Sequence, residues 1–298
     1  MTLKKILIVS GTHGNEINPV WAINQFNKQF KTIDKNIEYK FIIGNPLAYE
    51  RGCRYIDNDL NRSFTSIQDN SIYEINRANF LVEKFGFNGS EPCDVAIDLH
   101  TTTANMGTSI VMYGRRIKDF CLAALLQHKF GLPIYLHEKD LKQTGFLVEA
   151  WPCGLVLEIG SVAQNFYDPK IINRFLIIIS SLRDEINKLK NNQIRLPKDL
   201  VVHVHQGSID YPRDKNGNIN ALIHPERINQ DWKPIKKDAP LFLDMEGKTK
   251  TYTDEDTIWP VFIGEVAYKE KNIAMSFTKK EVVSVSDQMY EEFFSYFL

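Results

Sequence analysis

The sequence lacks long apolar runs and any marked excess of charge of one sign. No stretch approaches the roughly 18 apolar residues of a membrane span. The apolar patch near the N-terminus, which leads into Gly-Thr-His-Gly, is too short for a signal peptide. The 36 basic and 37 acidic residues nearly balance, so charge gives no reason to expect a nucleic acid or an anionic membrane surface. We therefore expect neither as a partner.

Cysteine is scarce and shows no paired spacing. The four cysteines form no C-x-x-C motif and are scattered at Cys53, Cys93, Cys121 and Cys153. In a chain of 298 residues this pattern predicts reduced, structural cysteines in a cytoplasmic protein, rather than a disulfide framework or a cysteine-bound metal. The content of 43% hydrophobic and 24% charged residues is typical of folded globular proteins, which excludes a disordered or fibrous chain.

The first two hundred residues alternate short apolar runs with helical patterns. Strands are predicted at 5–10, 38–44, 94–99, 108–113, 132–136 and 155–159. Helices are predicted at 19–30, 72–85, 117–130 and 169–189. Several of the strands are too uniformly apolar for a sheet with one wet face, so we expect helices on both faces. The alternation predicts an α/β layered domain over residues 1–197.

The pattern of apolar and polar residues changes after residue 189. A polar segment ends at Pro197, and the sequence beyond it shows strand-like alternation and turn signals with little helical pattern. We therefore predict a smaller β-rich domain over residues 198–298.

Histidines and carboxylates follow several of the predicted strands. His13 and Glu16 come after the first strand, His100 closes the third, and Glu158 lies near the end of the sixth. Ligands of open α/β sheets collect at these strand ends, and two histidines with one carboxylate are the protein ligands of many catalytic zinc sites. Alternatively, His13 and Glu16 form a surface hydrogen-bonding pair, and Asp98 merely holds the His100 ring. Glu158 is costly to bury among apolar neighbours unless it has a partner or a role.

A second group of polar residues lies between residues 45 and 63, a long stretch without clear regular structure. Such loops are disproportionately functional, although a polar loop that solvates its own charges is the alternative. Arg54, Asn61 and Arg62 could supply planar donors that recognise a carboxylate or a developing oxyanion.

Five motifs together resemble the aspartoacylase branch of the succinylglutamate desuccinylase/aspartoacylase family, over about residues 5–275. They are GTHGNE at 11–16, RYIDNDLNR at 54–62, DLHTTTANMG at 98–107, DYPRDKNG at 210–217 and HPERINQDWKP at 224–234. The resemblance implies a zinc carboxypeptidase-like mixed sheet flanked by helices, followed by a smaller β-rich C-terminal domain that caps the active site.

The resemblance also implies an activity and a set of residue roles. The activity is that of a zinc-dependent amidohydrolase that deacylates N-acyl-L-amino acids, converting N-acetyl-L-aspartate and water to acetate and L-aspartate. Members often pair, so we expect a homodimer. The implied roles are zinc ligation by His13, Glu16 and His100, one ion per chain; general base catalysis by Glu158; polarisation of the scissile carbonyl by Arg54; binding of the substrate carboxylate by Asn61 and Arg62; and contact with the pocket by Glu265 and Tyr268.

Two departures from the family pattern concern the substrate. Aspartoacylases carry an arginine about ten residues before the catalytic glutamate that grips the aspartate side chain, but no arginine occurs here between Arg116 and Arg174. Ser208 takes the place of a lysine before the Asp-Tyr-Pro-Arg-Asp motif.

Alternative functions therefore remain open. If Phe146, Leu147 or Val148 lines the pocket, an apolar or aromatic substrate fits better, as in the aminoacylase branch; Lys139 or Lys142 could instead replace the arginine. A desuccinylase or a zinc carboxypeptidase would share the metal site. A non-catalytic metal- or carboxylate-binding relative would be expected to have lost Glu158 or Arg54, and this sequence keeps both.

Overall fold

The computed structural model describes residues 4–29, 37–65, 69, 71–138, 140, 143–191 and 193–297. Its strands are β1 Lys4–Ser10, β2 Ile37–Ile43, β3 Val95–Thr102, β4 Thr108–Tyr113, β5 Ile134–His137, β6 Gly154–Gly160, β7 Asp199–Ile209, β8 Ala221–Ile223, β9 Pro240–Asp244, β10 Thr249–Thr251, β11 Trp259–Val261 and β12 Met275–Ser284. Its α-helices are α1 Ile17–Gln29, α2 Pro46–Arg51, α3 Tyr73–Phe85, α4 Ile117–Phe130, α5 Pro169–Lys190 and α6 Asp287–Phe297.

Within the described residues, nine strands form one mixed sheet in the order β11-β12-β7-β5-β4-β6-β3-β1-β2. β1 pairs in parallel with β2 and β3, and β3 pairs in parallel with β6. β4 runs antiparallel to β6, and β12 runs antiparallel to both of its neighbours, β7 and β11. The mixed α/β sheet expected from the sequence is thereby confirmed.

Alternate side chains of the central strands belong to two separate apolar clusters. In β1, Ile6 and Ile8 pack with residues of α1, α4, α5 and α6, whereas Leu7 and Val9 pack with residues of α3 and of a C-terminal loop. Because successive side chains of a strand point to opposite faces, both faces of the sheet are covered. This agrees with the uniformly apolar strands, which a one-sided sheet would leave partly exposed to water.

The structure differs from the predicted elements at three places. β3 continues to Thr102, because its ladder with β6 runs on to the pair Thr102 and Gly160, so His100 lies inside the strand rather than at its end. The short helix α2 lies in the stretch predicted to be irregular, with the Asn45 side chain accepting a hydrogen bond from the Ala48 N–H. α6 was not predicted and packs against α4.

The C-terminal part is β-rich, as predicted, but it is not separated from the main sheet. β7 pairs in parallel with β5, so the large sheet continues through the predicted boundary at 197/198, which stays a prediction. β8, β9 and β10 form their own small sheet around a third apolar cluster. All four cysteines are free. Among the described helices, none is both long and apolar enough to cross a bilayer.

The turn after β1 lies unusually close to α2. The Gly14 N–H donates to the Arg54 carbonyl at 3.1 Å. A Cβ atom at Gly14 would lie 2.1 Å from the carbonyl carbon of Ala48 and 2.2 Å from the Tyr49 nitrogen. Both obstacles are backbone atoms, which cannot swing aside as a flexible side chain can. Only glycine allows this turn to lie so close to the backbone of α2.

We predict that Gly14→Ala destabilises the protein by about 3 kcal/mol, because the added methyl group forces two backbone segments apart. The control is Gly114→Ala, where φ is +73° and nothing lies within 4 Å of the new methyl group. That change should cost only about 1 kcal/mol, from backbone strain. Urea unfolding of both variants measures the difference, and equal losses would contradict the steric explanation.

Candidate active site

Three adjacent parallel strands bring the candidate residues together. His13 and Glu16 lie in and just after the turn that follows β1, and β1 pairs with β3, which carries His100. In the β3–β6 ladder His100 is directly opposite Glu158. Neighbouring residues in register share a face, and here that face is the one covered by α3 and the C-terminal loop. All four side chains line one pocket.

His13, Glu16 and His100 form a compact, buried cluster. The His13 Nδ1 lies 2.6 Å from the Glu16 Oε1. The His100 Nδ1 lies 3.1 Å from the Glu16 Oε2 and 3.1 Å from the His13 Nδ1. Ligand atoms around a tetrahedral zinc ion lie roughly 3.3 Å apart, given bonds of about 2.0–2.1 Å. The donor set therefore fits a metal ion.

Two carboxylates orient the histidines. The His13 Nε2 lies 3.0 Å from the Asp59 Oδ1, and the His100 Nε2 lies 2.7 Å from the Asp98 Oδ2. Ionised carboxylates only accept hydrogen bonds, so each Nε2 carries a proton and each Nδ1 faces the centre of the cluster. Asp98 thus does hold the His100 ring, as one interpretation of the sequence had it. Asp59 was not singled out, although it lies in the motif at 54–62.

The cluster is electrostatically balanced despite its burial. Burial alone would raise the pKa of Glu16, but His13 and His100 outweigh it and hold that pKa well below its usual value. Burial would lower the pKa of His100, but Asp98 and Glu16 outweigh it and raise that pKa well above its usual value. A proton and a metal ion would compete for the same nitrogen, so metal binding would be coupled to proton release.

Glu158 has a different environment. It is 8% exposed and lies beside the cluster. Burial raises the pKa of Glu158 well above its usual value; nearby Glu16 and Glu265 add to the rise, while His100 and Arg54 oppose it. A carboxyl group with a raised pKa can both take and return a proton near neutral pH, as general acid–base chemistry requires.

Arg54 and Arg62, the two arginines predicted from the sequence, line the same pocket as the histidine–glutamate cluster and Glu158. The Arg54 guanidinium lies 3.5 Å from Glu16 and 3.3 Å from Asp59. Its buried Nε has no hydrogen-bond partner among the described residues. Arg62 donates to the Asn61 carbonyl at 2.6 Å and to the Gln143 side chain at 3.0 Å. The structure therefore brings Arg54, Asn61 and Arg62 to the pocket; their roles toward substrate stay predictions.

One buried carboxylate organises the loop that carries these arginines. Glu74, in the first turn of α3, is fully buried. It accepts hydrogen bonds from the backbone N–H groups of Ile56 at 2.7 Å, and of Asp57 and Asn58 at 3.0 Å each. The Asn45 amide donates to it at 2.9 Å. Sequence reasoning missed Glu74; the available signal was its position on the same helix stripe as the buried Ala78, Leu81 and Phe85.

The remaining pocket wall is largely aromatic. Phe146 lines it and stacks on Tyr113, with ring centroids 3.7 Å apart, while the Arg62 guanidinium carbon lies 4.0 Å from the Phe146 centroid. Further lining comes from Val111, Tyr135, His137, Val156 and Phe262. Of the three residues proposed for this wall, Leu147 and Val148 are instead buried in the apolar core. Lys139 and Lys142 lie outside the described residues.

The C-terminal part contributes Glu265 and Tyr268, as expected from the resemblance. Both line the pocket. The Glu265 carboxylate also accepts hydrogen bonds from the Thr103 N–H at 2.8 Å and the Ala267 N–H at 3.0 Å, and from the Thr102 hydroxyl. It therefore fastens this segment to the end of β3. Contact of either side chain with a substrate stays a prediction.

We predict that Glu74→Gln destabilises the protein by about 3 kcal/mol, because an amide NH₂ replaces an acceptor that faces several donors. Activity should fall with stability, since the loop holding Arg54 loses its anchor. The control is Glu83→Gln on the exposed face of the same helix, which should change stability by less than about 0.5 kcal/mol. Urea unfolding tests both, and an equally stable Glu74→Gln variant would refute the anchoring role.

Comparison with known proteins agrees with this geometry. Residues 2–186 match the succinylglutamate desuccinylase/aspartoacylase catalytic domain, and residues 198–280 match the AstE/AspA barrel-sandwich hybrid domain. The chain is 98% identical over 295 residues to a probable aspartoacylase of Prochlorococcus marinus subsp. pastoris, covering 99% of this chain and 100% of the relative. It resembles the crystal structure of murine aminoacylase 3 with a TM-score of 0.86 and 28% identity, covering 96% and 98% of the two chains. Succinylglutamate desuccinylase from Vibrio cholerae shares the fold, with a TM-score of 0.65 at 15% identity over 95% and 85% of the chains.

Proposed function

We propose that this chain, which belongs to the succinylglutamate desuccinylase/aspartoacylase family, is a zinc-dependent amidohydrolase that deacylates N-acyl amino acids. Membership indicates a hydrolase of amide bonds. The observation that carries the finer proposal is the placement of a two-histidine, one-glutamate cluster beside a buried Glu158 in one pocket. A non-catalytic binding protein would have no use for that glutamate.

His13, Glu16 and His100 would hold the ion. Zinc suits this mixture of imidazole and carboxylate ligands. When bound, it would supply a Lewis acid that polarises the acyl carbonyl and acidifies water. Asp59 and Asp98 hold the two imidazoles by their Nε2 atoms, which would leave each Nδ1 to bind the ion.

Glu158 would carry the proton. Its carboxylate takes a proton from the water that attacks the acyl carbon, and its carboxylic acid then gives this proton to the departing amine nitrogen. Water thereby adds across the amide bond, and the products are a carboxylate and a free amino acid. The Glu158 side chain is only 8% exposed, which limits the access of bulk water to that proton.

The arginines would orient the substrate. Arg54 has a donor without a partner among the described residues and lies next to the cluster, so it can stabilise negative charge on the acyl oxygen. Arg62 and Asn61 would bind the α-carboxylate. The Asn61 side-chain oxygen already accepts the Leu147 N–H at 2.8 Å, which leaves its amide NH₂ as the group that faces a ligand.

The pocket wall supports an apolar or aromatic amino-acid side chain. Phe146 lies in the segment before Glu158 that contains no arginine; it stacks on Tyr113 and lines the pocket. An apolar wall rewards an apolar side chain, and the cation that packs on this wall, Arg62, is already assigned to the α-carboxylate of the substrate. This favours an aminoacylase-like specificity, the alternative raised by the sequence.

N-Acetyl-L-aspartate is the second candidate, favoured by one cation and by the name of the relatives. Lys271 lies in the groove that adjoins the pocket, with its Nζ 3.5 Å from Asp59. Burial lowers the pKa of Lys271 to about 8. The ammonium form exists below that pH, so an activity that depends on its charge should decline as the pH rises through about 8.

The division into residues 1–197 and 198–298 also remains our proposal, supported by the separate apolar cluster around β8, β9 and β10. The homodimer and the cytoplasmic location stay predictions from the sequence.

We predict that Glu158→Gln lowers kcat by about 10²–10⁴-fold, because the amide cannot accept and return a proton. The zinc content should not change, since Glu158 is not one of the ligands. Glu226→Gln, the same substitution at an exposed site, is the control and should keep full activity. Steady-state kinetics with metal analysis tests this; a kcat near that of the native chain would remove Glu158 from the mechanism.

We predict a higher kcat/KM for N-acetylphenylalanine and N-acetylmethionine than for N-acetylaspartate, measured as release of free amine by zinc-loaded protein. Chelation of the metal should abolish all three activities. A preference for N-acetylaspartate that Lys271→Met removes would establish the second candidate instead. Absence of release from every substrate would reject the amidohydrolase.

A further inference from the structure

A second cluster of potential metal ligands lies beside the pocket. His137 ends β5, His205 lies in β7, and Asp140 follows β5. β5 and β7 pair in parallel, which makes the two histidines neighbours, with ring centroids 4.9 Å apart. One ligand atom from each of the three residues lies within 4.8 Å of the others. None of the three belongs to the first cluster.

The buried His137 ring has one nitrogen whose hydrogen-bonding capacity is unsatisfied among the described residues. The side chain is 6% exposed, and its buried Nε2 has no hydrogen-bond partner among the described residues. The Asp140 Oδ2 lies 3.8 Å from this Nε2, which is too long for a hydrogen bond. Atoms that share a tetrahedral zinc ion lie roughly 3.3 Å apart. The His137 Nε2 and the Asp140 Oδ2 would therefore have to approach each other by about 0.5 Å to bind one ion.

The other two members are held in place by outer partners. The Tyr135 hydroxyl lies 2.8 Å from the His205 Nδ1, which fixes the ring and leaves the Nε2 for another ligand. The Gln143 amide donates to the Asp140 Oδ2 at 3.1 Å. Metal ligands are typically oriented by such second contacts, and the first cluster uses Asp59 and Asp98 in the same way.

We propose that His137, Asp140 and His205 form a second metal site that binds a divalent transition ion such as Zn²⁺ or Co²⁺. Two imidazoles and one carboxylate suit these ions, whereas Ca²⁺ and Mg²⁺ prefer oxygen ligands. The site lies where the pocket, which His137 lines, meets the adjoining groove, which Asp140 and His205 line.

The neighbouring charges predict a weaker site than the first one. Arg62 and Lys271 line the same groove and repel a cation, while Asp140 attracts it. Arg62 donates to the Asn61 carbonyl and to the Gln143 side chain, which are neutral acceptors and leave its positive charge in place. We therefore expect the first cluster to fill before the second during a titration.

The experiment measures metal stoichiometry in the full chain. Metal-stripped protein is titrated with Zn²⁺, passed over a desalting column and analysed by inductively coupled plasma mass spectrometry; Co²⁺ absorption spectra follow the two sites separately. The variants are His205→Gln and Asp140→Asn. The matched control is His203→Gln, a buried histidine of the same strand that contacts Thr278 at 3.2 Å and lies outside the cluster.

We expect two equivalents of zinc in the native chain and in His203→Gln, and one in His205→Gln and in Asp140→Asn. The second Co²⁺ spectrum should disappear in these two variants while the first is unchanged. Circular dichroism checks that each variant is folded, and the preserved first site serves as an internal check. One equivalent in the native chain would overturn the proposal, as would two equivalents retained in both cluster variants.

Discussion

The register between β3 and β6 is the constraint on which the site depends. It sets His100 directly opposite Glu158 on the face that carries the pocket. A slip of one residue would turn Glu158 toward the opposite face, where Leu155, Leu157 and Ile159 pack in the apolar core. A buried carboxylate there would have no partner, so the apolar pattern of β6 enforces the register that the chemistry needs.

Buried carboxylates around the cluster connect its histidines to the loop at residues 54–62. Asp59 contacts both His13 and Arg54, and Glu74 holds the backbone just before Asp59. The turn at Gly14 is connected to the same loop, because the Gly14 N–H donates a hydrogen bond to the Arg54 carbonyl. The candidate metal ligands, the arginines and the carboxylates that contact them therefore belong to one network of hydrogen bonds and ion pairs.

The C-terminal part completes the pocket through Glu265, Tyr268 and Phe262. Its strands join the main sheet, while its small sheet has a separate core. The pocket is consequently built from distant segments of the chain: the loop that carries Arg54 and Arg62, the aromatic wall around Phe146, and the C-terminal residues Glu265, Tyr268 and Phe262.

The sequence by itself determined the layered α/β fold, since the apolar alternation of the strands and the periodicity of the helices are local patterns. It also pointed to His13, Glu16, His100 and Glu158, because parallel strands present their carboxyl ends together. Only the tertiary structure decided which carboxylates orient the histidines, why Glu74 is buried, and that His137 meets His205. These contacts join residues far apart in the chain, and local periodicity carries no information about which distant side chains the folded sheet brings together.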